Sequence, residues 1–279
     1  MSDYNSKVLK VVGTRPVRPD GADKVTGRAA YGADFRMPGM LIGRIKRSPH
    51  AHARIVSIDT RKARALPGVK AVITGADMPQ VNSDVSAGGE SAMNMEHVGR
   101  NCMARDKALY AGHAVAAVAA TSAAIAAEAL DLIEVTYEVL PHVVDVEAAM
   151  QPDAPLLHPD IFTAGLESKA ETPSNVAMRL QSVRGDAAAA IAAADVVVEG
   201  RYTTQSVHQG YIEPHACVAS VSADGQAVIW CSSQGAFMVR SCCSAIMNMS
   251  ASDIRVIPAE IGGGFGGKTT GYLEPLALA

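Results

Sequence analysis

The sequence has few aromatic residues, no long apolar run and no excess of basic charge. Aromatic residues make up 4% of its 279 residues, which favours close backbone approach by Ala and Gly over aromatic ligand platforms. The formal net charge of −3 gives no basic footprint for nucleic acid. No run of about 18 apolar residues occurs, and the N-terminus MSDYNSKVLKVVG lacks the order of a signal peptide. We therefore expect a cytoplasmic globular protein that binds neither nucleic acid nor a membrane.

The five cysteines include no C-x-x-C pair. Two of them are adjacent, and adjacent residues cannot present the ligand geometry of a zinc or iron–sulfur site. The composition is otherwise ordinary, with 48% hydrophobic and 19% charged residues. We interpret all five as small buried hydrophobic residues in a reducing compartment; they are Cys102, Cys217, Cys231, Cys242 and Cys243.

Chain length and a proline-containing linker predict two domains in an α+β fold. A length of 279 residues exceeds the usual size of one domain. We predict an N-terminal arm at 1–20 and a first domain at 21–146. A linker with several prolines at 147–184 then leads to the second domain at 185–279.

Alternating and Ala-rich segments predict the elements of the first domain. Residues 41–48 and 53–60 alternate with period two and indicate two neighbouring strands. A helix over 60–66 is predicted before the strand VKAVITG. Residues 80–100 lack periodicity and indicate a long excursion. The segments HAVAAVAA, SAAIAAEALDLIEV and VTYEVL then predict a strand–helix–strand unit.

The second domain is predicted to contain helices, strands and a glycine loop. RGDAAAAIAAADVVVEGRYTTQ indicates a short helix, with Asp186 near its start, that runs into a strand. EPHACVASVSADGQAVIWCSS indicates a hairpin with Asp224 and Gly225 at its turn. An amphipathic helix over 235–249, the strand DIRVIPAEI and the loop GGGFGGK follow. GYLEPLALA is expected to begin a helix with an apolar patch that needs a partner or a continuation, formed by Leu273, Leu276 and Leu278.

The glycine loop has five glycines in six positions and allows three interpretations. Residues 262–269 satisfy the phosphate-loop pattern G-x-x-x-x-G-K-[ST], although a nucleotide triphosphatase needs further parallel strands and an acidic residue for magnesium after that loop. A tight turn would use glycine for positive φ and Phe265 to plug the core. Alternatively, the bare Cα atoms pass close to a bulky ligand, with Phe265 stacked beside it.

Four colinear segments resemble the xanthine dehydrogenase and aldehyde oxidoreductase family. EIGGGFGGK is similar to its molybdenum-site loop, SSQGAFMVR to its strand-end glutamine segment and GYIEPHACVA to its glutamate–proline segment. YGADFRMPGMLIGRIKRSPHAHARIVSIDTRKARALPGVKAVITGADMP is similar to its N-terminal hammerhead domain. The resemblance covers about residues 20–279. It implies an α/β hammerhead-type domain followed by the first part of a molybdopterin-binding α+β domain.

The resemblance also implies a molybdenum-pterin site on this chain. Gln234 matches a glutamine that hydrogen-bonds a molybdenum oxygen, and a neutral amide donates there without adding charge beside an anionic cofactor. Phe265 and Gly266 match residues packed against the metal centre, within a cofactor-binding loop that includes Gly264 and Gly267. Gln234 and Phe265 are thus expected beside the metal without ligating it.

Three more residues lie near the implied site. Glu213 is expected to be a buried structural carboxylate rather than a catalytic base. Lys268 is expected either to neutralise the cofactor or a neighbouring acid, or to be structural or solvated. Thr269 is assigned to the substrate pocket, because the purine-oxidising members carry a glutamate there. Aldehydes, N-heterocycles, aromatic thioesters and carbon monoxide remain open as substrates, whereas Thr269 argues against purines.

Two histidine groupings invite a separate metal interpretation. His208 and His215 flank Glu213, while His50 and His52 share one face of a strand. The hammerhead likeness already contains a Ser-Pro-x-x-His-Ala segment. Packing and hydrogen bonding are therefore the preferred interpretation of these histidines.

The implied function is part of the catalytic subunit of a molybdenum hydroxylase. Such an enzyme oxidises an aldehyde, N-heterocycle or aromatic substrate with water as the oxygen source. The expected cofactor is a molybdenum pterin in the cytosine dinucleotide form, with 2Fe-2S and FAD on partner chains. No catalytic residue is assigned here, because the family's base glutamate lies in the later half.

A second molybdopterin-binding chain or a continuation is therefore an expected partner, besides Fe-S and FAD subunits. The alternative is a non-catalytic truncated paralogue that acts as a binding or assembly module.

Overall fold

A computed structural model describes residues 9–81, 86–87 and 93–279. The predicted excursion at 80–100 therefore lies partly outside the described residues. Within these ranges, small sheets with helices packed on them form the α+β fold that the sequence predicted. None of the described helices has the length and apolar character needed to cross a bilayer.

The described residues of the first half form two three-stranded sheets and one two-stranded ribbon. Its strands are β1 (Ile42–Arg47), β2 (Ala53–Asp59), β3 (Val69–Thr74), β4 (Ser86–Ala87), β5 (Met93–Asn94), β6 (Lys107–Ala108), β7 (Ala114–Ala120) and β8 (Glu134–Val139). Its helices are α1 (Gly21–Thr26), α2 (Arg61–Ala65), α3 (Met95–Cys102), α4 (Ala123–Asp131) and α5 (Val146–Ala149). The sheet orders are β1-β7-β3 and β6-β2-β8, with all pairs antiparallel, and β4 pairs with β5.

Strands β1 and β2 lie in different sheets, so the prediction that they are neighbours was wrong. The amide of Ser48 donates to the carbonyl of His113 at 2.8 Å, and the amide of Leu140 donates to the carbonyl of His52 at 3.0 Å. These bonds hold the connecting residues against other segments and turn the chain from the first sheet into the second. Alternation identifies a strand and its buried face, but not its partner.

The Ala-rich strand β7 is the buried centre of the first sheet. Ala116 and Ala120 are fully buried there, and helix α4 packs its own fully buried Ala126 and Ala129 into the same cluster. Small side chains on both elements allow this close approach. The hydroxyl of Ser122 caps α4 by accepting a hydrogen bond from the amide of Ile125 at 3.2 Å.

Helix α3 occupies part of the stretch that the sequence indicated as a long excursion without periodicity. The Asn94 side chain caps it by accepting hydrogen bonds from the amides of Glu96 and His97. An ion pair one turn apart, between Glu96 and Arg100, supports it further. The cap, this pair and the apolar residues at 95, 98 and 102 were all present in the sequence, so the helix was predictable from local patterns. Its Met95 side chain is fully buried.

The second half contains one mixed sheet. Its strands are β9 (Cys217–Val221), β10 (Ala227–Cys231) and β11 (Ile254–Pro258), and its helices are α6 (Ala187–Ala192), α7 (Ala236–Met247) and α8 (Glu274–Leu278). The order is β11-β10-β9; β9 and β10 form the predicted hairpin, whereas β10 and β11 are parallel and joined through α7. The carboxylate of Asp186 caps α6 by accepting a hydrogen bond from the amide of Ala189 at 2.9 Å.

The strand predicted directly after α6 is absent from the described residues. Residues 195–212 make no backbone–backbone hydrogen bond with another described residue. Val196, Val198 and Tyr202 are 78%, 87% and 92% exposed. A strand forms only where a neighbouring strand pairs its backbone, and the pattern within one segment does not contain that information.

Helix α8 packs inward, so the exposed apolar patch expected at 273–278 was a wrong prediction. Leu276 is 9% exposed and lies in a cluster with Cys242 and Ile246 of α7. Leu278 packs against the buried cluster of the second sheet. The beginning of a helix in this segment is confirmed.

All five cysteines are free thiols, and four of them are buried, with Cys217 half-buried. Burial raises the pKa of both Cys102 and Cys231 to about 12. The prediction that the cysteines act as small buried hydrophobic residues is therefore confirmed, since burial and an elevated thiol pKa both suppress reactivity.

Candidate functional site

Parallel pairing of β10 with β11 brings the site together. Cys231 at the end of β10 stands opposite Pro258 at the end of β11, so the residues that follow the two strands emerge at the same sheet edge. Gln234 follows β10 and the glycine loop at 262–268 follows β11. The backbone amide of Gln234 donates to the carbonyl of Lys268 at 2.8 Å.

The side chain of Gln234 anchors the glycine loop. Its Oε1 accepts hydrogen bonds from the amide of Gly266 at 3.0 Å and from the amide of Lys268 at 3.2 Å. Because both partners are donors, the atom that faces them is the oxygen. The Nε2 group of this exposed residue therefore remains as a donor pointing away from those amides.

Two glycines of the loop are required by side chains of the protein itself. A Cβ on Gly262 would lie 2.6 Å from the Cβ of Glu213, and a Cβ on Gly264 would lie 2.5 Å from the Oε1 of Gln234. Both separations are shorter than real Cβ contacts. The close approach that we expected toward a ligand is, at these positions, an approach to protein side chains.

Tyr211 forms the support under the other side of the loop; it lies in the glutamate–proline segment, where the sequence singled out Glu213 but not the tyrosine. A Cβ on Gly267 would lie 2.7 Å from its ring, and a Cβ on Gly263 would lie 3.1 Å from its Cβ. The Nζ of Lys268 lies 5.0 Å from the centre of the same ring, within range of a cation–π contact. The available signal was its position two residues before Glu213, on the segment that faces the loop.

The tip of the loop is open. Phe265 has φ of 48° and is 72% exposed, and Gly266 has φ of 88° with nothing within 4 Å of the position that a Cβ would occupy. The interpretation in which Phe265 plugs the core is therefore wrong. The open tip gives a ligand direct access to the backbone of Gly266, in line with the third interpretation of the loop.

Glu213 and Lys268 form a buried ion pair beneath the loop. Glu213 Oε2 accepts hydrogen bonds from the Lys268 Nζ and from the amide of Gly262, both at 2.7 Å, and Glu213 Oε1 accepts one from the amide of Gly32 at 3.3 Å. The lysine side chain is 0% exposed and the glutamate side chain is 10% exposed. The carboxylate thus ties the loop to an N-terminal segment of the chain.

The same ion pair contradicts the phosphate-loop interpretation. In a phosphate loop the lysine reaches the nucleotide phosphates, and the motif opens a helix. Here the Lys268 ammonium is buried against Glu213, and the next helix, α8, begins only at Glu274. Thr269 is exposed beside the tip, and its Oγ1 donates to the carbonyl of Gly266 at 3.2 Å.

Aromatic rings extend from the support toward α8. The ring of Tyr211 lies 4.8 Å from that of His208 and 5.4 Å from that of His215, which lies 5.2 Å from the ring of Tyr272. Burial, with the nearby Lys268 charge as a second cause, lowers the pKa of His215. This ring is therefore neutral near neutral pH.

The N-terminal histidine pair makes ordinary packing contacts. His52 is buried, with its Nδ1 at 2.8 Å from the carbonyl of Pro141, and the His50 ring makes an edge contact with Tyr137 at 5.0 Å. Across residues 9–81, 86–87 and 93–279, no group of three or more His, Cys, Asp or Glu side chains is arranged to hold a metal ion.

Comparisons with known proteins identify what both halves of the chain are similar to. Residues 26–141 match the family model for the aldehyde oxidase and xanthine dehydrogenase a/b hammerhead domain, and residues 168–279 match that for the molybdopterin cofactor-binding domain. The carbon monoxide dehydrogenase large chain of Afipia carboxidovorans is 37% identical over 277 residues, which is 97% of this chain and 33% of the relative. The nicotinate dehydrogenase large molybdopterin subunit of Eubacterium barkeri is 33% identical over 94% of this chain and 56% of its own length.

A solved structure extends the similarity to three dimensions. The quinoline 2-oxidoreductase of Pseudomonas putida 86 aligns with a TM-score of 0.76 and 31% identity, over 95% of this chain and 32% of that one. The chain thus spans about a third of the carbon monoxide dehydrogenase large chain and of this oxidoreductase.

Proposed function

Because this chain belongs to the xanthine dehydrogenase and aldehyde oxidase family of molybdenum-dependent oxidoreductases, we propose that it forms part of the catalytic subunit of a molybdenum hydroxylase. The assembled enzyme oxidises an aldehyde, N-heterocycle or aromatic substrate with water as the oxygen source. The observation that carries the proposal is the meeting of the Gln234 side chain with the open tip of the glycine loop at one sheet edge.

The residues at this edge fit a bulky anionic cofactor. The Nε2 of Gln234 is a neutral donor, and the tip at Phe265 and Gly266 is open to a ligand. Lys268 adds no net charge, because Glu213 neutralises it. When bound, a molybdenum pterin supplies the two-electron oxidation chemistry. In the proposal, Gln234 donates to the cofactor while Phe265 and Gly266 lie against it.

Gly264 and Gly267 hold the loop in place for this role. Gly264 leaves room for the side chain of Gln234, and Gly267 leaves room for the ring of Tyr211. Replacement of either glycine by a larger residue would displace the tip. Thr269, on the rim of the tip, is the proposed pocket residue. We assign the cofactor to the cytosine dinucleotide form, and mass spectrometry of the extracted cofactor tests that assignment.

In the proposal, the remaining parts of the enzyme lie outside these 279 residues. The base glutamate and most pterin contacts belong to a second molybdopterin-binding chain or a continuation, and the 2Fe-2S and FAD centres belong to partner subunits. The region of the carbon monoxide dehydrogenase large chain that this chain does not match is large enough to carry the base glutamate and the remaining pterin contacts. The free thiols fit a reducing compartment such as the cytoplasm.

Elemental analysis of the assembled enzyme tests the proposal. The chain purified with a co-expressed second molybdopterin-binding polypeptide is expected to contain molybdenum and to oxidise members of an aldehyde and N-heterocycle panel. The isolated chain is expected to be inactive on the same panel. An assembly that contains no molybdenum would favour the non-catalytic binding module instead, and repeated turnover by the isolated chain would refute the need for a partner.

Xanthine and hypoxanthine belong in the same panel as a test of Thr269. A threonine there offers no carboxylate to read a purine ring, so their turnover is expected to be poor relative to the best substrate. Efficient purine oxidation would remove Thr269 from the proposed specificity role.

A further inference from the structure

The segment at 195–204, which follows helix α6, has the pattern of a half-buried strand. Its sequence is DVVVEGRYTT, and alternation would place Val196, Val198 and Tyr202 on one face. Val197, Glu199 and Arg201 would then occupy the opposite face. β-branched and aromatic residues of this kind favour a pleated, half-buried surface.

The described residues neither bury the apolar face of this segment nor pair with its backbone. Val196, Val198 and Tyr202 are 78%, 87% and 92% exposed, and no described residue exchanges a backbone–backbone hydrogen bond with 195–212. Linkers that remain solvated are poor in β-branched and aromatic residues. The segment at 195–204 thus has an exposed apolar face and a backbone without a pairing partner among the described residues, as a strand without its neighbour would have.

Two local contacts orient the segment. Arg201 forms an ion pair with Glu147 of helix α5, which turns the polar face toward this chain and leaves the apolar face outward. The ring of Tyr202 covers Gly200, where a Cβ would lie 2.5 Å from the tyrosine Oη. Helix α6, capped by Asp186, fixes the start of the segment.

We propose that 195–204 is a β-strand that pairs with an edge strand in the polypeptide that carries the rest of the molybdenum-binding subunit. Strand addition gives affinity through main-chain hydrogen bonds, and alternate side chains give specificity. Val196, Val198 and Tyr202 would become buried against the partner.

The length of the relatives identifies the occupant. This chain spans 33% of the carbon monoxide dehydrogenase large chain, so two thirds of such a subunit lies outside the region it matches. That polypeptide is the partner of the molybdenum site in the proposed function, on which this inference rests. A second copy of this chain is the alternative occupant, which the oligomeric state separates.

Binding to a defined probe tests the pairing. The probe is the part of the Afipia carboxidovorans carbon monoxide dehydrogenase large chain outside the matched region, mixed with the purified 279-residue chain. Hydrogen exchange measured by mass spectrometry is expected to show protection of the amides of 195–204 in the complex and rapid exchange in the free chain. Binding is followed without molybdenum, so complex formation and failure of the proposed chemistry remain distinguishable.

A matched pair of variants makes the test specific. The double substitution Val196→Lys and Val198→Lys places two charges on the proposed buried face, and it is expected to weaken binding by about tenfold or more. The control Val183→Lys changes a valine that is 71% exposed outside the segment, and its affinity is expected to stay unchanged.

Three results would overturn the inference. They are a complex in which 195–204 still exchanges rapidly, equal affinity of the double variant and the unsubstituted chain, and absence of binding to the probe. A dimer of this chain that protects the same amides would replace the proposed occupant with a second copy.

Discussion

Gln234 uses the two ends of one amide for different purposes. Its oxygen holds the amides of Gly266 and Lys268, and its nitrogen remains available at the open tip. A carboxylate there could accept the same two hydrogen bonds but could not donate, and it would add a charge beside an anionic group. The residue therefore fixes the loop and presents a donor at the same time.

Replacement of Gln234 by Ala is expected to reduce turnover of the assembled enzyme by about 10²-fold or more, because a positioned donor and the loop anchor are lost together. Steady-state kinetics on the best panel substrate measure this. The control is Gln226→Ala. Gln226 lies immediately before β10, at the other end of the strand from Gln234, and its side-chain amide donates a hydrogen bond to Asp253 at 3.1 Å. An unchanged rate for Gln234→Ala would show that the assignment is wrong.

The ion pair of Glu213 and Lys268 is a second residue-scale determinant. Loss of one partner leaves the other charge buried and unpaired, so Lys268→Met is expected to lower the free energy of unfolding by about 3 kcal/mol. The double variant Glu213→Gln with Lys268→Met removes both charges and is expected to recover much of that loss. Urea denaturation of Lys268→Met, of Glu213→Gln alone and of the double variant completes the double-mutant cycle.

The cycle has a clear contrary outcome. Equal destabilisation by Lys268→Met alone and by the double variant would mean that the two charges do not compensate each other. Lys62, which pairs with Glu134 on the surface at 66% side-chain exposure, offers a control. Its substitution by Met is expected to change stability by less than about 1 kcal/mol.

At the scale of elements, His113 joins three segments of the first half. It precedes β7, its Nδ1 accepts a hydrogen bond from the amide of Leu109 at 3.1 Å, and its Nε2 donates to the carbonyl of Arg100, at the end of α3, at 2.8 Å. Protonation would point a second N–H at the Leu109 amide. Burial lowers the pKa of His113.

This arrangement predicts loss of stability in acid. The folded-state pKa lies below the unfolded value of about 6.5, so the neutral ring contributes stability above the unfolded pKa and the contribution is lost as pH falls through the folded pKa. Urea midpoints between pH 8 and pH 5 measure it. His113→Gln retains a donor and an acceptor without titrating, and it is expected to show a shallower pH dependence. Parallel curves for both proteins would contradict the prediction.

Local patterns predicted most elements, but they did not identify partners. The hairpin at Gly225 and the helix at Glu274 were predictable, because turn chemistry and apolar period belong to short stretches of sequence. The separation of β1 from β2 was not, since it depends on hydrogen bonds to His113 and Leu140. The segment at 195–204 was predicted as a strand, and the described residues supply no neighbour for it.

The candidate site was predictable only as a set of positions. The resemblance selected Gln234 and the glycine loop, whereas the reason for each glycine required the structure. Tyr211 lies in the glutamate–proline segment, but its role depends on where its ring lies relative to Gly263 and Gly267, which the sequence does not show.

At the scale of the whole molecule, residues 24–35 pack against the segments that carry the site. Besides the contact of Gly32 with Glu213, the ring of Phe35 lies 6.3 Å from that of Trp230, and Lys24 pairs with Glu260 at 3.0 Å. Residues 24–35 thus pack against the strands that carry the loop, which couples the two halves at this edge.

The buried thiols report on this whole fold. With burial holding the pKa of Cys102 and Cys231 near 12, about one thiol in 10⁴ is ionised at pH 8. Reaction with a disulfide reagent is therefore expected to be slow in the native chain and complete in denaturant, where five thiols react. Rapid native reaction of any buried thiol, followed by absorbance, would contradict this packing.

The direction of β10 has a practical consequence. The strand runs from the hairpin turn at Asp224 and Gly225 toward Gln234, and five residues of strand span about 17 Å. A surface linker attached at the turn would therefore tether the enzyme to an electrode or bead from the end opposite the glycine loop. Immobilised this way, the open tip would face the bulk solution and remain accessible to small molecules.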